Sequence, residues 1–215
     1  MHQLSVILPK SQLVDRFGAK LVLEEYGKND LKLLATKIPQ GLHGLGGSVW
    51  NRIVTKGWHQ VDPQQLAPYF RSRSPALHQV ISKLLDVEVI RDIYYAKGWR
   101  GAKRRSNLVM EMLVAWLYRN DLHLGDITFI NPDKPIPKAR RKYQFQTHEG
   151  LGLLPDLLAN MRGKAKELGC EQLTLTAAAA EQVGLFNRFG FTVEDNDNAR
   201  LTVKIGYGIP MEQDV

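Results

Sequence analysis

Residues suited to holding an anion are concentrated between Tyr143 and Phe191. Tyr143-Gln-Phe-Gln-Thr147 alternates aromatic and polar residues as a half-buried strand does. His148-Glu-Gly-Leu-Gly-Leu-Leu154 follows, and Pro155 stands where a helix takes its first residues. Leu154, Leu157, Leu158, Met161, Ala165 and Leu168 then repeat at helical spacing up to a stop at Gly169. A glycine turn lets backbone come close to a ligand. The helix behind it presents unpaired N–H groups and the positive end of its dipole. That combination suits a phosphate or pyrophosphate. For proton transfer the sequence offers His148, Glu149 and Glu111, none in a diagnostic spacing.

Other chemistries find less support. Cys170 is the only cysteine, which excludes an intrachain disulfide and a cysteine metal cluster. His-x-x-x-His, His-Glu-x-x-His and calcium-loop spacings are missing, so no metal site is expected, and no serine sits in a nucleophile elbow. Gln40 to Ser48 is a second glycine-rich stretch. It reads either as a phosphate loop assisted by Ser48 and Arg52 or, preferably, as a flexible surface loop, since the Gly-Lys-Ser/Thr of a nucleotide loop is lacking.

The elements that would position these groups alternate between strand and helix. Residues 4–8 read as a first strand, 12–17 as a short helix and 20–24 as a second strand, with a turn at 27–30. Residues 31–36 fit helix or strand, as do 87–95. Apolar spacing predicts helices at 49–54 and 76–85, the latter capped by Ser74-Pro75 after a loop at 57–68 and a basic connector at 70–75. Ser106 to Arg119 is apolar around nearly its whole circumference and reads as a buried helix carrying Glu111. Asp126-Ile-Thr-Phe-Ile130 reads as a strand, 131–138 as a proline-rich loop and 172–176 as another strand. Residues 192–203 read as acidic loop and strand, ahead of a frayed tail.

The order strand, glycine turn, helix, strand and short helix resembles the core of the GCN5-related N-acetyltransferases, the GNAT superfamily. Leu185-Phe-Asn-Arg-Phe-Gly-Phe191 is similar to that family's Leu-Tyr-x-x-x-Gly-Phe ending. Its Arg/Gln-x-x-Gly-x-Gly/Ala pattern fits in two registers. One takes Gly150 and Gly152 as the two glycines. The other, preferred because the helix length fits, starts at Gly152 with Glu149 in the Arg/Gln place. The resemblance covers about the last 75 residues. It implies an α/β (α+β) protein with a mixed β-sheet flanked by helices and a hairpin of 126–130 with 143–147. It also implies acyl transfer from acetyl-CoA or another acyl-CoA to an amine-bearing acceptor. Phe145, Gln146 and Thr147 would align the pantetheine arm. Backbone from Glu149 through Gly150, Leu151, Gly152 and Leu153 to Leu154 would hold the pyrophosphate. Phe186 takes the place of a tyrosine that protonates the departing thiolate in many members. The resembling half is expected at 106–215, with 1–105 as an N-terminal region, or both as one continuous domain.

Two rival readings stand beside this one: a nucleic-acid-binding protein without catalysis, from the charge and basic clusters, and a catalytically inactive GNAT-like interaction module, from Phe186 and the imperfect glycine set. The 215 residues are 44% hydrophobic and 24% charged, with a net charge of +7 and a pI near 9.5, which favours acidic partners. Lys103 to Arg105, beside Trp99, and Lys138 to Lys142 are the basic clusters that would meet nucleic acid. The longest apolar run, Leu108 to Leu117, is too short to span a membrane. A cytoplasmic location is the default expectation.

Overall fold

The computed structural model describes residues 4–55, 62, 64 and 77–215. The expected loop at 57–68, apart from residues 62 and 64, the connector at 70–75 and the Ser74-Pro75 cap lie outside the described residues. One mixed sheet organises the rest. Its strands are β1 (Leu21–Gly27), β2 (Ile90–Arg100), β3 (Leu108–Leu117), β4 (Asp121–Phe129), β5 (Gln172–Ala179), β6 (Thr192–Val193) and β7 (Tyr207–Asp214). They lie in the order β1-β2-β3-β4-β5-β7-β6. β4 and β5 run parallel, and the other neighbours are antiparallel. The helices are α1 (Lys10–Phe17), α2 (Leu31–Lys37), α3 (Pro39–Thr55), α4 (Leu77–Asp86), α5 (Leu153–Glu167), α6 (Ala180–Asn187) and α7 (Asp197–Ile205). The fold is α/β, as expected, and the sheet draws strands from both sides of residue 105.

Two apolar clusters cover the two faces. On one, α1 and α5 bring Leu13, Phe17, Leu157 and Met161 against Val114, Leu122 and Leu173 of the sheet. On the other, α2, α3 and α4 bring Leu34, Leu42, Leu45, Ile81 and Leu84 against Ile93, Leu113 and Ala115. This double cover explains the largest departure from expectation. Ser106 to Arg119 is no helix: its centre is β3, which sends Met110, Met112 and Val114 to one cluster and Leu113, Ala115 and Leu117 to the other. A strand buried on both faces is apolar throughout, so its sequence shows no alternation.

α3 departs in the opposite sense. The expected glycine-rich loop at 40–48 is the first half of a helix. Leu42, Leu45, Val49 and Ile53 form a stripe that is almost wholly buried. Burying that stripe outweighs the roughly 1 kcal/mol that each helical glycine costs. Residues 4–8 form a 3-10 turn rather than a strand, with Leu4, Ile7 and Leu8 in the core.

The expected hairpin of 126–130 with 143–147 does not form. Residues 126–129 pair with β3. The segment around Thr147 pairs instead with the proline-rich loop: the Ile136 amide donates to the Thr147 carbonyl and the Glu149 amide to that of Lys134. Past Phe191 the acidic stretch holds α7, capped by the Asn196 side chain accepting from the Ala199 amide at 2.8 Å. The tail expected to fray is β7, with Ile209 and Met211 fully buried between β5 and β6.

Candidate functional site

The sheet opens where its one parallel pair parts. β4 and β5 are in register from Asp121↔Gln172 to Leu124↔Leu175 and no further. Beyond that point β5 continues beside β7 alone, from Thr176↔Pro210 to Ala179↔Tyr207. β4 continues beside β3 alone, after a register shift between Leu113 and Val114 that leaves Gly125 as the extra residue. Among the described residues no strand pairs with the other edge of β4 from Gly125 to Phe129. A Cβ at Gly125 would stand 3.2 Å from the Leu113 side chain, so glycine suits the bulge.

The bulge re-aims the strand. Asp121 and His123 face the α3 side, and simple alternation would turn residue 126 to the opposite face. Asp126 instead lies opposite Leu113, a member of the α2–α4 cluster, and Thr128 lies opposite Glu111. Glu111 and Asp126 are therefore diagonal neighbours on one face. Glu111 is held: its carboxylate accepts from the Tyr95 hydroxyl at 2.5 Å, and the Lys97 ammonium lies 3.3 Å away. Burial, and then Glu111, hold the Tyr95 hydroxyl well above its ordinary range, so it remains a donor. The Asp126 side chain reaches solvent, yet the protein around it removes enough water to raise its pKa. The neighbouring Glu111 charge adds to that, while the Ile127 amide opposes it. Asp126 did not figure among the residues singled out from the sequence. The available signal was a glycine inside a strand pattern, which marks a bulge.

On the same side, α3 roofs a cavity of about 210 Å³. Gly44, Gly47, Ser48 and Asn51 line it from the helix, and His123 and Thr176 from the two parting strands. Its deep wall is a buried ion cluster. Arg52 Nη1 is 2.6 Å from Asp121 Oδ2, and its Nη2 is 2.7 Å from Glu194 Oε1. These bonds tie α3 to β4 and to the segment before α7. Arg52, offered with Ser48 for a phosphate loop, is committed to carboxylates. Its partners are far away in sequence, so no local motif announces them. His123 is buried beside this cluster with Nδ1 3.0 Å from Thr174 Oγ1. Burial, and then the Arg52 charge, push its pKa down to about 3, so the imidazole is neutral.

Most other residues singled out from the sequence lie on the connection between β4 and α5. Phe145 stacks on Tyr143 with ring centroids 5.3 Å apart, and Gln146 accepts from the Lys142 amide. His148 Nδ1 is 2.9 Å from Thr147 Oγ1, and Glu149 pairs with Lys134 at 3.2 Å. Gly150 stands in open space. Gly152 is the N-cap of α5 with φ +72°, a left-handed conformation that favours glycine, and no side chain caps that end. Leu151 and Leu154 are partly buried against the core and Leu153 is buried. Phe186 is buried edge-on against Phe191, with centroids 6.1 Å apart. Trp99 is nearly buried, with Lys97 and Lys103 over its ring. Among the described residues no helix is long and apolar enough to cross a membrane. No group of three potential ligands there is arranged to hold a metal ion.

No protein-family model matches the chain, and no curated protein matches it. Solved structures that it is similar to include acetyltransferases. An IAA acetyltransferase from Bacillus cereus is 15% identical with a TM-score of 0.38, over 91% of this chain and 99% of that one. The PaiA N-acetyltransferase of Thermoplasma acidophilum, solved with coenzyme A, is 15% identical with a TM-score of 0.37, over the same 91% and 99%. A Bacillus subtilis acetyltransferase in complex with CoA is 14% identical with a TM-score of 0.35, over 64% of this chain and 83% of that one. At TM-scores below 0.5, none of these likenesses bears on the chemistry of this chain.

Proposed function

We propose that this protein is an acyl-CoA-dependent N-acyltransferase of the GNAT kind, moving an acetyl or related acyl group to an amine. The observation that carries this reading is the parting of β4 and β5 after Leu124 and Leu175. Among the described residues it leaves one edge of β4 without a strand partner beside a bulge. An extended, amide-bearing arm fits such an edge as an added strand. The same strand leads, through the 130–152 connection, to the uncapped N-terminus of α5 behind Gly150 and Gly152. That end suits a pyrophosphate.

Bound acyl-CoA would supply the activated acyl group: the amine nitrogen takes the acyl carbon as the thioester C–S bond breaks. The chain's share is positioning and charge. An N–H on the free edge of β4 polarises the thioester carbonyl. Asp126 accepts the proton that the amine loses. Loss of surrounding water, with a smaller contribution from the Glu111 charge, keeps Asp126 more basic than an isolated carboxylate, while Tyr95 and Lys97 hold Glu111 in place. His123 is buried, with one ring nitrogen tied to Thr174, and is not the base. His148 and Glu149 are engaged with Thr147 and Lys134 and leave proton transfer to Asp126. Phe186 has no proton to give, so the departing sulfur takes one from solvent, to which Asp126 returns the proton taken from the amine.

Two substitutions at one position test the pyrophosphate site. Asparagine tolerates the left-handed conformation of Gly152, and aspartate adds a negative charge to nearly the same shape. Gly152→Asn should keep most CoA affinity, measured by calorimetric titration, and Gly152→Asp should lose at least roughly tenfold. Equal affinities in the two variants would remove the pyrophosphate from this helix end.

A further inference from the structure

We infer that the outer face of α7 docks a second copy of this chain, in a two-fold dimer that sets α7 antiparallel to its mate. The inference does not rest on the transferase reading. Two independent observations lead there.

The first is the packing that α7 lacks. It is nine residues long, and a helix that short is marginal in water unless a face of it is packed. Ala199 is its only buried residue, with Asn198 and Thr202 half-buried beside it. The larger apolar side chains lie elsewhere on the helix. Eight large apolar side chains are exposed among the described residues, and four of them fall between 201 and 207: Leu201 at 55%, Val203 at 46%, Ile205 at 59% and Tyr207 at 68%. Valine and isoleucine are poor helix formers, and water gives no reason to place them on an open helix surface. Leu201 and Ile205, four residues apart, share one stripe, and Tyr207 follows just past its end. A concentration of this kind marks an interaction surface, and tyrosine is enriched at such surfaces.

The second is the order of charge, which decides the occupant. Asp195 and Asp197 stand at the start of α7 and Lys204 at its end. That order suits the helix dipole. It also makes the helix complementary to an inverted copy of itself. At 3.6 residues per turn, Asp197 and Lys204 lie on one flank of Leu201 and Ile205 on the other. A two-fold axis through Leu201 keeps each flank on its own side. Leu201 then meets its counterpart. Asp197 is about 6 Å before Leu201 along the helix and Lys204 about 4.5 Å after it, so Lys204 comes level with the partner's Asp197, twice over. Arg200 already holds Asp195 and Asp197, whereas among the described residues no acid pairs with Lys204. An anionic lipid surface fits less well, because the two exposed aspartates would face it. Asn198, which lines the cavity beneath α3, lies on the Ile205 flank, so the docked copy borders that cavity. Two short helices and a tyrosine make a small contact, which places this dimer in the weak, reversible class.

Sedimentation equilibrium of the unmodified protein, without CoA, tests the inference. It should show monomer and dimer exchanging with concentration. Leu201→Lys with Ile205→Lys should leave only monomer. Both positions are exposed, so the Tm of dilute protein should stay unchanged, which separates lost docking from lost folding. Lys204→Glu sets a carboxylate against the partner's Asp197 and should weaken the dimer at least roughly tenfold, while Lys204→Arg should keep it. A chain that stays monomeric up to millimolar concentration, a dimer that survives the double lysine variant, or one indifferent to Lys204→Glu would overturn the inference. So would capture of the monomer by phosphatidylserine vesicles that the double variant abolishes, which would give this face to a membrane. CoA titration of the monomeric double variant keeps the readings apart: unchanged CoA affinity there leaves the transferase reading untouched by the fate of the dimer.

Discussion

Arg52 is nearly inaccessible, and both of its carboxylate partners are buried with it. Replacing it with alanine removes the guanidinium that both carboxylates bond and leaves a void between α3 and β4. Arg52→Ala should therefore lower the unfolding free energy by about 3–5 kcal/mol, read by urea denaturation. A loss under 1 kcal/mol would mean that water already reaches the cluster. Asp126 makes a different prediction. Its raised pKa means that the base form appears only above the ordinary carboxylate range, so the transfer rate should rise with pH through that raised value. Asp126→Asn should remove this limb and cost about 10²–10⁴-fold in rate. Its stability should be equal or higher at neutral pH. The native state binds the Asp126 proton more tightly than the unfolded chain, so folding weakens as pH rises through the shifted range, and asparagine removes that penalty. An unchanged pH–rate profile in Asp126→Asn would move the base elsewhere.

Among the elements, legibility followed burial on one face or two. α5 and β5 each set their apolar residues against a single cluster, and their periodicities of 3.6 and 2 stand plainly in residues 153–167 and 172–176. β3 buries both sides, and its apolar run cannot be told from a core helix by pattern alone. α3 hid behind its glycines, which read as loop although the stripe of Leu42, Leu45, Val49 and Ile53 among them is buried as a helix face. The site divided along the same line. The glycine turn before α5 is a local signal and was readable. Asp126 and the Arg52 cluster depend on a bulge and on contacts across 69 and 142 positions of sequence, and they were not. The 130–152 connection carries its own prediction. Lys138, Arg140 and Lys142 are exposed beside the stacked pair of Tyr143 and Phe145. Replacing Arg140 and Lys142 together with alanine should weaken CoA binding and make its salt dependence shallower, by loss of contact with a cofactor phosphate. RNA and DNA affinities measured alongside at two salt concentrations give the alternative. A loss confined to nucleic acid, with a salt slope shallower by about one for each phosphate contact removed, would assign this surface to the rival binding protein.

At the scale of the molecule, strand order was the least legible property. β7 enters between β5 and β6, so the end of the chain completes a sheet that its sequence gives no reason to expect. The last described strand also covers the outer edge of β5, leaving β4 and β5 free to separate on their shared side. The net charge of +7 adds a general attraction for polyanions such as CoA without choosing among them. Binding of CoA at the parted strands is the claim on which the chemistry depends, and titration of CoA into the unmodified protein, followed by calorimetry and Tm, tests it most directly. The geometry predicts saturable binding of one CoA per chain and a Tm that climbs with CoA concentration, since a ligand of the native state stabilises it by mass action. A folded protein that shows neither heat nor a Tm shift at millimolar CoA would contradict the account.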